Sequence, residues 1–96
     1  MQFIVIGYDH KDEKALERRL AAREEHLEFA GKMFEQGKWI FASALLDDEG
    51  NMNGSVIACD FPSEEDLRNE WLDNEAYVKG NVWEEIIIRK AKVAKH

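Results

Sequence analysis

Of the three histidines, His10, His26 and His96, only His26 stands where an imidazole can do acid–base work. His10 falls in a polar turn, Asp9-His10-Lys11-Asp12, and His96 ends the chain. At roughly 100° per residue, His26 lies near the line of Arg19, Ala22, Ala30 and Met33, on the shoulder of a helical apolar stripe. The small neighbours leave room for a cavity. Imidazole titrates near neutrality and serves as a general base when a carboxylate holds its second nitrogen. Asp9, at the end of the first strand, is the carboxylate that the sequence offers. Residue types alone leave the pairing open, since a lone helical histidine is more often a partly exposed residue at the edge of a core.

Other side chains have plainer readings. Ser43 and Ser55 lie in or at the start of strands, as pocket hydroxyls or as satisfied backbone contacts, and neither has a nucleophile motif around it. Asp47-Asp48-Glu49-Gly50 lacks the roughly twelve-residue spacing of an EF-hand loop and reads as a solvated turn, so no metal site is expected. Gly50 and Gly54 do not make a phosphate loop, because neither Lys-Ser nor Lys-Thr follows and no helix opens there. Cys59 is the single cysteine and reads as a small buried apolar residue. The run from Arg18-Arg19 to Glu24-Glu25 reads as the wet face of a helix. A formal charge of −7 argues against nucleic acid and anionic membranes as partners. The opening run Gln2–Tyr8 is too short for a signal segment or a membrane span, which predicts a cytoplasmic protein.

The 96 residues make one domain, 1–96, with a small core. Residues 2 to 8 read as a strand. Asp12 is placed to cap a helix over about 13 to 36, carried by Leu16, Leu20, Leu27, Ala30 and Phe34 and closed by Gly37. Lys38–Leu46 and Ser55–Phe61 form a hairpin around the turn-rich stretch Asp47–Gly54. Pro62 ends it, and Ser63 with Asp66 resembles a capping box that opens a helix holding Leu67 and Trp71. A further helical turn holds Tyr77, and Val82–Val93 closes the chain as a strand. The order βαββαβ predicts an antiparallel four-stranded sheet with helices on one face. In the second strand Trp39, Phe41 and Leu45 are expected on one side and Ile40, Ala42 and Leu46 on the other. Both sets are apolar, so a homodimer packed sheet to sheet is expected.

The same residues resemble the YCII-like family over nearly the whole chain. The first strand runs into Asp9. Leu16-Glu17-Arg18-Arg19-Leu20 and Arg23-Glu24-Glu25-His26-Leu27 are similar to that family's R-x-x-H-L helix. Leu45–Gly50 with Gly54-Ser55 resembles its hairpin, and Trp71–Val82 resembles the stretch around its Asp-Pro-Tyr, with Tyr77-Val78 matching. The resemblance implies a ferredoxin-like α+β fold assembled as a dimeric α+β barrel, and a cofactor-free His–Asp dyad carried over to His26 and Asp9. Such a dyad abstracts a proton, with Asp9 orienting the imidazole and stabilising the imidazolium. The family includes a dehydrochlorinase that eliminates HCl from a chlorinated hydroxyhydroquinone in aromatic degradation. A lyase acting on a small aromatic or quinol-like substrate is therefore the expected function, with Ser43, Ser55, Glu75 and Tyr77 as substrate-binding candidates. The alternatives are a non-catalytic small-molecule binding module of the same fold and a purely structural domain. Two departures stand out: Ser43-Ala44 where the family has Gly-Pro, and Glu75-Ala76 where it has Asp-Pro.

Overall fold

The computed structural model describes residues 1–95, so the terminal His96 lies outside the described residues. Strands β1 (Gln2–Asp9), β2 (Trp39–Leu46), β3 (Met52–Asp60) and β4 (Trp83–Ala91) form one antiparallel sheet in the order β2-β3-β1-β4. Helices α1 (Ala15–Glu35), α2 (Glu64–Glu70) and α3 (Ala76–Lys79), with a short 3-10 turn at Leu72–Asn74, complete a ferredoxin-like α+β fold.

The local chemistry explains most boundaries. Gly37, at φ 73°, ends α1 in the left-handed conformation that glycine adopts without penalty. Ser63 caps α2 as expected: its hydroxyl accepts from the Asp66 backbone N–H and donates to the Asp66 carboxylate. Asp12 accepts from the Lys14 backbone N–H and pairs with Arg18, but the residue at the N-cap position of α1 is Lys14, without a side-chain cap. β3 starts earlier than the sequence suggests, at Met52. α2 ends at Glu70, so Trp71 is its C-cap rather than a helical residue, and Glu75, at φ −75° and ψ 124°, caps the separate turn of helix that holds Tyr77.

Two packing expectations are corrected. The buried line of α1 is Ala15, Arg19, His26, Ala30 and Met33, whereas Leu20, Leu27 and Phe34 are exposed. The helix is rotated from its leucine stripe because Arg19 and His26 find buried acidic partners, Asp9 on β1 and Glu75 at the start of α3. Arg19 is 2% exposed, so it does not belong to the wet face. In β2, a register shift between Trp39 and Phe41 sends Trp39 to the helix side, away from Phe41 and Leu45.

The core lies between the sheet and the helices, around Phe3, Val5, Ile57, Cys59, Trp39 and Trp71. Gly7 is required where the Trp83 indole crosses β1, since a Cβ there would stand 2.4 Å from the ring. The opposite face carries Ile4, Ile6, Tyr8, Phe41, Val56 and Ile87 and has no helix over it. Among the described residues, no helix is long and apolar enough to cross a membrane.

Candidate functional site

His26 sits in the fourth turn of α1, where its buried position aims the ring at α3 rather than at the end of β1. Nδ1 meets Oε1 of Glu75 at 2.5 Å. Glu75 is fully buried, and its carboxylate also accepts from the Trp71 indole Nε1 at 2.7 Å and from the Tyr77 backbone N–H at 3.2 Å. Three donors thus meet on one carboxylate. The arrangement follows from the chain path: Trp71 and Glu75 are joined through the 3-10 turn, and Glu75 then caps α3, which puts its side chain under α1. A carboxylate at Nδ1 holds a proton on that nitrogen, which makes Nε2 the ring atom left for a ligand. Nε2 has no partner among the described residues.

The expected pairing of His26 with Asp9 is therefore corrected. Asp9 is occupied by a different cation, because Arg19 Nη1 donates to its Oδ1 at 2.8 Å with both side chains almost wholly buried. Arg19 Nη2 donates in turn to the Gly54 carbonyl and to the Ser55 hydroxyl oxygen. Burial raises the Asp9 carboxyl above its ordinary value, opposed by the guanidinium beside it. Asp9 Oδ2 and Arg19 Nε have no partner in this network.

Tyr77 lies between the two charged systems. Its ring stacks on His26 with centroids 4.0 Å apart and 14° between the planes, and Arg19 Cζ lies 4.6 Å from the Tyr77 centroid. Burial raises the phenol pKa further, which keeps it protonated and able to donate. Trp39 closes the far side of the imidazole, 5.8 Å between centroids.

A cavity of about 130 Å³ opens between α1 and the β2–β3 half of the sheet, bordered by Arg23, His26, Ser43, Ser55, Ile57 and Tyr77. Ser55 is buried with its oxygen taken by Arg19, so its own hydrogen is free for an acceptor in the cavity. Ser43 also borders the cavity, but its hydroxyl donates to the Val56 carbonyl at 3.3 Å. His26, Ser55 and Tyr77 thus converge on one space. Glu75 stands behind His26, outside the cavity lining, and Asp9 borders a separate, larger hollow of about 330 Å³ with Lys11, Asp47 and Asn51. Among the described residues, no three His, Cys, Asp or Glu side chains form a group able to hold a metal ion.

The sequence reading missed Trp71 and Arg19 as parts of this machinery. The only signal for Arg19 was its place on the helical line of His26, two turns away; for Trp71 it was the four-residue spacing to Glu75.

A YCII-related domain matches residues 1–92. No curated protein matches the sequence at a significant level. Among solved structures, the chain is similar to 5-chloro-2-hydroxyhydroquinone dehydrochlorinase from Burkholderia phenoliruptrix, in complex with 2,5-dihydroxybenzoquinone. That likeness has a TM-score of 0.82 at 19% identity, over 98% of this chain and 96% of that one. A protein from Agrobacterium tumefaciens is similar at a TM-score of 0.53 and 16% identity, over 99% of this chain and 95% of that one. At these identities the likeness establishes the fold.

Proposed function

Because the chain belongs to the YCII-related family, we propose that it is a cofactor-free lyase in which the His26–Glu75 pair moves protons for a small aromatic or quinol-like substrate held in the adjoining cavity. The observation that carries this reading is the 2.5 Å contact between His26 Nδ1 and a fully buried Glu75, which engages one ring nitrogen while Nε2 has no partner among the described residues and His26 borders the cavity. Glu75 orients the imidazole and stabilises the imidazolium once a proton has moved.

The dehydrochlorinase among the similar structures suggests the candidate reaction, elimination of HCl from a chlorinated hydroxyhydroquinone. Two phenolic O–H protons leave, one C–H bond forms at the carbon that bore chlorine, and chloride departs with the C–Cl pair. The net loss is HCl, and no external oxidant is needed because the ring oxygens are oxidised to the quinone level as the carbon is reduced. His26 Nε2 is suited to take a phenolic proton and return it to carbon. Ser55 and neutral Tyr77 are suited to donate to substrate oxygens, and Ser43 borders the same space. As part of this reading, the open apolar face of the sheet meets that of a second copy in a homodimer.

The test is chloride release from chlorinated hydroxyhydroquinones without added metal or cofactor. Wild type is expected to turn over, and His26→Ala to lose at least tenfold in rate, since general-base catalysis contributes roughly a hundredfold or more. A His26→Ala enzyme as fast as wild type would overturn the reading, and so would a wild type that releases no chloride.

A further inference from the structure

The cavity beside His26 has a charge that the proton-transfer chemistry does not use. Of the five arginines, Arg18, Arg19 and Arg68 bond carboxylates, and Arg89 bonds the Ile88 carbonyl. Arg23 has no hydrogen-bond or ion-pair partner among the described residues. Its helical neighbours explain why. One turn away on either side lie Arg19, Leu20, His26 and Leu27, so no carboxylate stands at the spacing where a surface helix would pair it. Glu24 and Glu25 point around the helix from it.

Arg23 nevertheless borders the cavity, together with His26, Ser55 and Tyr77. It stands one turn before His26, about 4.5 Å along the helix axis. Arg23 is itself exposed, so its guanidinium stands at the rim of the cavity, open to solvent on one side. Besides the imidazole, the wall of the free space carries three donors: a guanidinium with open N–H groups, a hydroxyl hydrogen on Ser55, and a protonated phenol. Such a set is unsatisfied by a neutral hydrocarbon ring and is matched by an oxyanion. A planar guanidinium suits the two oxygens of a carboxylate, or a phenolate with its ortho hydroxyl, better than any other group on this wall. The chain as a whole carries −7, so this local positive charge must act against the molecule's long-range field.

We infer that Arg23 selects the ligands of this cavity, restricting them to single aromatic rings that carry an ionised oxygen, either phenolate or carboxylate. The inference rests on the placement of the site at His26 but not on the reaction assigned to it. Arg23 holds the anionic oxygen at the mouth, while the ring lies inward toward Tyr77 and His26.

The test uses benzoate and benzamide, which share ring and shape and differ in charge, titrated separately into the purified protein at low and at raised salt. Binding is followed by NMR at the Tyr77 and His26 signals. Wild type is expected to prefer benzoate by about fivefold, the range of a partly solvated charge pair. The preference should shrink at raised salt. Arg23→Gln should bring the two affinities within about twofold of each other by weakening benzoate alone, and Arg23→Lys should retain part of the preference. Equal affinities in wild type, a preference that survives in Arg23→Gln, or binding of neither probe would overturn the inference. It would also be overturned if Arg23→Gln changed the sedimentation of the protein and left the benzoate preference intact, because Arg23 would then serve a subunit contact. Chloride release that fails while the benzoate preference holds would remove the proposed reaction and leave the role of Arg23 standing.

Discussion

Replacing Glu75 by Gln tests the centre of the site with almost no change in volume. In the native arrangement Oε1 accepts from His26 Nδ1 at 2.5 Å and from the Tyr77 backbone N–H at 3.2 Å, while Oε2 accepts from Trp71 Nε1 at 2.7 Å. An amide has one oxygen. If that oxygen stays with His26 and Tyr77, the NH2 group faces the Trp71 indole N–H, and two buried donors confront each other. A buried donor left unsatisfied costs about 1–3 kcal/mol, and the remaining bonds lose their charge assistance. The expected loss of stability is about 3 kcal/mol, a large share of the roughly 5–15 kcal/mol that holds a domain together. Urea unfolding should report it as a midpoint lower by roughly 2 M, given a slope near the low end for small proteins. Adding Trp71→Phe removes one of the conflicting donors, so the double variant should lose less than the sum of the single losses, by about 1 kcal/mol or more. The chloride-release rate should fall at least tenfold, since the imidazole loses its orienting anion. A Glu75→Gln midpoint indistinguishable from wild type, or strictly additive losses in the double variant, would refute the view of Glu75 as the shared acceptor of three donors.

Two further outcomes follow from other buried groups. For Asp9, the folded-state pKa is raised, so between its ordinary value and its raised one the folded chain holds more protons than the unfolded chain, and the stability that Asp9 contributes falls as pH rises through that window. Urea midpoints of wild type and Asp9→Asn against pH should show the wild-type advantage shrinking with rising pH there, and an advantage that grows would mean that Arg19 outweighs burial. At neutral pH Asp9→Asn should still destabilise by about 3 kcal/mol, because it leaves the buried Arg19 guanidinium without its anion. Cys59 is fully buried and its thiol is pushed up to about 12, so it should not react with a thiol-specific disulfide reagent at pH 8 until urea unfolds the chain. Rapid labelling of the folded protein would contradict its placement in the core.

Much of the architecture was legible because it depends on local chemistry. Gly37 ends α1, Ser63 opens α2 with Asp66, and a tract rich in Asp, Asn and Gly turns the hairpin. Each of these is set by residues within a few positions of one another. The orientation of α1 was not legible in the same way. Its leucines point to one stripe, yet burial follows Arg19 and His26, whose partners come from 10 and 49 residues away. No helical period encodes an attraction between groups that distant. The bulge at Ile40 likewise exchanged the faces of Trp39 and Phe41, since alternation holds only while the ladder keeps its register.

For the site, the sequence by itself singled out His26 among the three histidines and, through its resemblance, the family to which the chain belongs together with Ser43, Ser55, Glu75 and Tyr77 as candidates, of which Ser43, Ser55 and Tyr77 border the cavity with His26. Only the tertiary structure decided which carboxylate the imidazole meets. Asp9 and Glu75 are both buried acids, but Arg19 lies two helical turns closer to the end of β1 and takes Asp9, while the extended backbone at Glu75 carries the longer side chain beneath His26. The spatial competition of a guanidinium and an imidazole for two carboxylates is a property of three-dimensional packing, and sequence spacing does not carry it.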